Sequence, residues 1–428
     1  MTLNPRSDRA PEAAEPASRL ARRLGVGDAV LLGLGSMIGT GVFVVFSPAA
    51  AAAGAGLLIG LAIAAFVAYA NATSSAELAA LYPSSGGTYV YGRERLGPTW
   101  GYLAGIAFVG GKIASCGAAA LAVGEYAAPA YARPIGAAAV VFITAVNYRG
   151  ITRTARLNRL LVAVLLAILT LVVVAMFTGG SPDVSRLQPW WPHGFRGILT
   201  AAALLFFAFA GYARVATLGE EVRDPARTIP RAIPLALGIT LVVYIAVALG
   251  LLLTLGPERL AATAAPLSAA VAAGSWHALT PVVRIGAAIA ALGSFLSLMA
   301  GISRTAFAMA SNGDLPRWLA AVHPRYKVPY HAELLTGAIA LVVVAFGGIS
   351  GAVSFSAFTV LLYYAIANTS ALTLPTGQRR WPRGLAGAGL VGCLVLAASL
   401  PWPVVVAGGA VLAVAVLARV VIRSPAVR

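Results

Sequence analysis

Gly33-Leu34-Gly35-Ser36-Met37-Ile38-Gly39-Thr40-Gly41 places four glycines within nine residues of an otherwise apolar segment. Glycine inside a helix costs on the order of 1 kcal/mol relative to alanine. Gly35 and Gly39 alone fit close packing against a neighbouring membrane helix. The Gly39-Thr40-Gly41 triplet points instead to an interruption. A break there turns the amides of the following half-helix toward an anionic group and the carbonyls of the preceding one toward a cation.

The surroundings require a membrane. The chain has 428 residues, 59% hydrophobic and only 11% charged, and 29–76, 334–378 and 384–418 contain no Asp, Glu, Lys or Arg. A soluble fold would lack polar surface, whereas about 20 apolar residues suffice to cross the hydrocarbon as a helix. Gly, Pro and charge punctuation predicts twelve spans: 27–53, 56–80, 97–127, 134–148, 158–178, 197–222, 232–255, 282–310, 333–349, 353–374, 384–400 and 403–422. The fold class expected is all-α integral membrane.

Residues 1–24 mix arginine, proline and alanine without a signal peptide's apolar core and read as a disordered cytoplasmic tail. The net charge of +17 is no nucleic-acid footprint, because the basic residues sit in short loops. Twenty-four of the 31 Lys and Arg fall on the side that carries both ends. The outer loops hold Arg133, Arg186, Arg196 and Arg259, and Lys112, Arg214 and Arg284 fall within spans. By the positive-inside rule both ends are cytoplasmic in the cell membrane. Cys116 and Cys393 lie in apolar segments and imply no disulfide framework. The outer connection near Pro266 and Ser268 reads equally as a short helical lid or as a surface loop.

The sixth span carries a second break candidate, Phe206-Phe207-Ala208-Phe209-Ala210-Gly211-Tyr212. Gly211 lies five spans after Gly39, and interrupted helices at matching places in two halves point to a midplane site in inverted-repeat transporters. Together with Gly39-Thr40-Gly41-Val42-Phe43, the segment from Tyr82 to Tyr89, the Glu220-Glu221-Val222-Arg223-Asp224-Pro225 signature and the stretch from Arg304 to Pro316, the chain resembles the amino acid-polyamine-organocation permease superfamily. These motifs are spread over most of the chain. The resemblance implies the leucine-transporter fold: ten helices in two inverted five-helix repeats with helices 1 and 6 broken, over 25–374, then two peripheral helices over 375–428. It also implies that a substrate carboxylate meets the Gly39, Thr40 and Gly41 amides. The substrate ammonium meets carbonyls near Ile38, Phe209 and Ala210, with Gly211 and Tyr212 lining the same break. Phe207 matches a gating aromatic of related exchangers, although a core or lipid-facing aromatic reads as well.

Lys112 lies mid-span between Val109-Gly110-Gly111 and Ile113-Ala114-Ser115-Cys116, too deep to reach a headgroup easily. The resemblance places it, with Cys116 one turn on, along the substrate pocket. It would carry a coupling proton or meet a substrate carboxylate, unless a carboxylate such as Glu77 neutralises it. Cationic members often keep an acid two residues after the sixth-helix glycine; here Ala213 and Arg214 follow, which disfavours cationic substrates. The stretch 160–171 lacks the lysine that replaces sodium in some proton-coupled members. Ser294 and Ser297 are candidate sodium ligands, or bond back within their own helix. Glu220 and Glu221 facing Arg153 or Arg156 would form an inner gate, or a static solvated cluster.

The reading is an alternating-access amino-acid transporter, a proton symporter or an exchanger, favouring neutral or acidic substrates. A cationic amino acid or polyamine antiporter is the alternative. A channel lacks a polar pathway through the spans, and an enzyme lacks a His/Cys/Asp grouping. No cofactor or metal is expected, only a proton or sodium as coupling ion. The partners are an amino acid and the bilayer; oligomeric state is not readable.

Overall fold

The computed structural model describes residues 24–82, 86–150, 155–188, 190–212, 215 and 222–423. Among them the architecture is helical, with a single isolated bridge pairing Leu24 and Val222. The first span is α1 (Val26–Met37), α2 (Thr40–Val44) and α3 (Phe46–Ala53), followed by α4 (Leu57–Leu81). Val45 keeps helical angles, so α2 continues into α3 as one half-helix. Then come α5 (Thr88–Leu96), α6 (Pro98–Ala127), α7 (Ala132–Tyr148), α8 (Ala155–Gly179) and α9 (Gly194–Phe209). The chain continues through α10 (Pro225–Ala261), α11 (Pro266–Ala272), α12 (Thr280–Ser311) and α13 (Tyr330–Phe346). It ends in α14 (Ile349–Leu372), α15 (Arg383–Ser399) and α16 (Trp402–Arg423).

Among the described residues, ten helical stretches are long and apolar enough to cross a bilayer, and the 17-residue α13 and α15 supply two shorter ones. This matches the twelve expected crossings. Interrupted helices open both the first and the second group of five, and four intervening crossings set the two interrupted spans in opposite directions. Burial separates centre from edge: 78% of the apolar window of α6 is buried against 11% for α16. Helix α6 packs on α12 and α14, α4 on α9 and α10, and α1 on α10.

Two helices in connections complete the frame. The sequence named no helix at α5, which follows Gly87 at φ 55° and carries Arg93 and Arg95 in its last turn. The loop over Pro266 is the short helix α11, whose Pro266, Leu267, Ser268, Ala270 and Val271 are buried, resting against α2 and α12.

Arginines cap helix ends throughout. Arg284, counted within a span, sits in the second turn of α12 and donates to the Tyr126 and Ala127 carbonyls that end α6 (2.8 and 3.2 Å). Arg419 of the peripheral α16 meets the buried Asp314 at 3.0 Å and stacks over the Tyr102 ring at 4.5 Å. Asp314 also takes Arg93 (3.2 Å) and the Tyr89 hydroxyl (2.8 Å), tying α5, α6 and α16 to the end of α12.

Candidate functional site

Helix α1 stops where the sequence loses helix formers. The Ile38 amide closes the last turn onto the Leu34 carbonyl, Gly39 adopts φ −54° and ψ −118°, and Thr40 starts the next half-helix. Ile38, Gly39, Thr40 and Gly41 are all buried. The Thr40 amide donates to the Ser294 hydroxyl of α12 at 3.2 Å, and a β-carbon on Gly39 would collide with that hydroxyl. The Thr40 hydroxyl is buried without a partner among the described residues. One amide of the half-helix is thus already held by a neutral oxygen, which an anionic group would outcompete.

Helix α9 ends at Phe209, where the Ala210 amide bonds back to the Phe206 and Phe207 carbonyls before a 3₁₀ turn over Ala210, Gly211 and Tyr212. The two breaks touch. A β-carbon on Gly211 would lie 2.3 Å from the Ser36 carbonyl oxygen, and one on Gly41 would lie 2.8 Å from the Ala208 Cα. Tyr244 of α10, fully buried, sits between them with its hydroxyl 2.7 Å from the Met37 carbonyl and 3.1 Å from that of Ala208. Tyr364 of α14 donates to the Ala210 carbonyl at 3.2 Å and stacks on Tyr212 at 4.9 Å. Both tyrosines reach carbonyls at helix ends, where regular i→i+4 partners run out and an unmet buried group costs about 1–3 kcal/mol.

Among the three neighbouring phenylalanines, Phe206 packs edge-on to Tyr364 and Phe209 to Tyr244, both fully buried, whereas Phe207 is only partly buried. Cys116 is buried with Ile113, Phe295 and Met299. Ser297 donates to Gly293 within its own helix at 3.2 Å, and Ser294 faces the Thr40 amide.

Lys112 is 8% exposed, and among the described residues no side chain makes a hydrogen bond or ion pair with it. Glu77 is not its counter-ion: Oε1 accepts the Arg380 and Trp381 amides at 2.7 and 2.6 Å. One turn along α6, Ser115 meets Ser356 of α14 at 2.8 Å. A second buried ionisable group, Glu333 of α13, accepts the Ser303 hydroxyl at 2.7 Å through one oxygen, while the other has no partner. The sequence reading passed over it because it falls at the first residue of the predicted ninth span, where an acid reads as interfacial. Tyr244 and Tyr364 were missed for another reason: a buried tyrosine has no pattern that separates it from an apolar neighbour.

The candidate inner gate lies outside the described residues at Glu220, Glu221 and Arg153, and Arg156 is described in its backbone alone. Ala213 and Arg214 are likewise outside. A groove of about 620 Å³ runs between α4 and α10, past Phe66, Tyr69, Leu241 and Phe209. Its walls are apolar and Phe66 is 54% exposed, so it suits hydrocarbon and not a zwitterion.

Comparison with known proteins agrees with this geometry. The model of the amino acid permease family matches residues 28–421. An uncharacterized transporter of Mycobacterium tuberculosis is 61% identical over 93% of this chain and 91% of its own length. The branched-chain amino acid permease of Bacillus subtilis is 27% identical over 90% of each chain, and cationic amino acid transporter 7 of Arabidopsis thaliana is 28% identical over 83% of this chain and 66% of its own. With interrupted first and sixth spans in mutual contact and a family match across nearly its whole length, the chain belongs to the amino acid permease family, as a multi-pass membrane transporter and not an enzyme.

Proposed function

We propose that the chain is a secondary active transporter that moves a neutral or acidic amino acid by alternating access. The substrate carboxylate docks at the Gly39, Thr40 and Gly41 amides and displaces or shares the Ser294 hydroxyl. Its ammonium docks at carbonyls around Ile38, Phe209 and Ala210, with Phe207, Gly211 and Tyr212 closing the pocket. The observation that carries this reading is the direct contact of the two breaks, Gly211 on Ser36 and Gly41 on Ala208, bridged by Tyr244. Opposite helix ends brought together match the two charges of an α-amino acid without any charged side chain.

Lys112 supports a preference against cationic substrates. A buried ammonium without a counter-charge repels a second cation at low dielectric and attracts a carboxylate. The name of the Bacillus subtilis relative, a branched-chain amino acid permease, agrees with a neutral substrate, whereas the plant relative named for cationic amino acids favours the alternative.

Coupling to protons is the preferred reading, with Lys112 the first candidate and Glu333 the second, because both are buried ionisable groups in apolar helices. Both chain ends are placed in the cytoplasm on the distribution of Lys and Arg. Uptake of labelled amino acids into liposomes, with and without a proton gradient, tests the proposal. Saturable uptake, competed by neutral amino acids and not by lysine, supports it; preferential competition by lysine turns it to the cationic alternative.

A further inference from the structure

Arg95, Arg379 and Arg383 come from three different elements and converge on the last carbonyls of α14. Arg95 donates through Nε to the Thr373 hydroxyl at 2.9 Å and through a terminal nitrogen to the Thr373 carbonyl. Arg379 donates to the Leu374 and Leu372 carbonyls at 2.8 and 2.9 Å, and Arg383 reaches the same Leu372 carbonyl at 2.9 Å. A helix C-terminus carries about half a negative charge, so one guanidinium would complement it. Three leave a local surplus of about two and a half positive charges.

Glu77, bonded into the connection between Arg379 and Arg383, offsets only part of that surplus. None of the three has a carboxylate within ion-pair distance. Glu77, which holds this connection in place, spends its Oε1 on the Arg380 and Trp381 amides. Arg383 also opens α15, the positive end of that helix, whose first turn has no acidic residue and no side-chain cap. A cation there is unfavourable unless an anion faces it. Arg383 uses one of its five N–H donors on protein, and its side chain is exposed.

We propose that Arg95, Arg379 and Arg383 bind the phosphate of an anionic phospholipid in the cytoplasmic leaflet. The planar donor forks suit a phosphate diester, and the site sits where two helices enter the membrane, beside the partly buried Trp381. The bound lipid bridges α5, α14 and α15, joining the peripheral pair to the core. The leaflet rests on the orientation proposed above; the binding does not.

The test uses the purified full chain in neutral detergent and follows thermal unfolding with added phosphatidylglycerol, phosphatidylcholine or inorganic phosphate. Phosphatidylglycerol is expected to raise the melting temperature by several degrees while the other two do not. Arg383→Gln should lose more than half of that shift and Arg383→Lys should keep most of it. If Arg383→Gln yields no folded protein, Arg95→Gln reads the same loss. Equal shifts with both lipids, or a full shift in the Gln variants, overturn the proposal, and inorganic phosphate matching phosphatidylglycerol overturns the lipid as its source. Because the readout is binding in detergent, failure here leaves the transport reading standing, and failed transport leaves this site standing.

Discussion

Gly211 faces the backbone of Ser36 so closely that an added β-carbon would stand 2.3 Å from its carbonyl oxygen and 2.6 Å from the Met37 nitrogen. Backbone atoms cannot swing aside as a side chain can. Forcing a methyl group into such a contact costs about 1–3 kcal/mol, borne where the two breaks must hold substrate. Gly211→Ala should therefore lower initial uptake rates at least about tenfold while the protein still elutes as a single peak. Uptake at the wild-type rate would show that the contact opens freely.

Tyr244→Phe removes the hydroxyl that serves the Met37 and Ala208 carbonyls together. Leaving them unmet should cost about 1–3 kcal/mol, read as a lower melting temperature. Because the hydroxyl ties the two interrupted spans, KM for the substrate should rise as well. A stability loss with unchanged KM would confine Tyr244 to packing.

Lys112 gives a prediction whose two halves have opposite sign. Lys112→Met removes an uncompensated buried charge and keeps the volume, so the protein should melt no lower than wild type. Accumulation against a gradient should nevertheless be abolished. Normal accumulation in this variant would make Lys112 structural.

Asp314 faces both Arg93 and Arg419. Asp314→Asn removes the carboxylate that the buried Arg419 meets, and breaking a buried pair from one side typically costs about 3–5 kcal/mol. Detergent-solubilised protein should lose much of its thermal stability. The charge removal Arg419→Gln should cost less, because Arg93 still serves the aspartate.

The crossings were legible because hydrocarbon imposes length and apolarity on each segment, and the breaks were legible because glycine is expensive in a helix unless it is used. Gly39 to Gly41 and Phe209 to Tyr212 fall where helices α1 and α9 stop. What closes the site was not legible. The Thr40 amide and the Ser294 hydroxyl are 254 residues apart, and only the packing of α12 on α2 brings them together. Glu77 carried no sign that backbone amides of the connection after α14 would claim it before Lys112 could. Long-range polar partners depend on helix rotation, which composition leaves open.

The most direct test of the central claim is the concentration dependence of labelled neutral amino acid uptake into proteoliposomes, wild type beside Gly211→Ala. A substrate site built from the two breaks predicts uptake that saturates, is competed by unlabelled neutral amino acids and collapses in the variant. Uptake that rises linearly without saturation, or that is equal in both proteins, would contradict it.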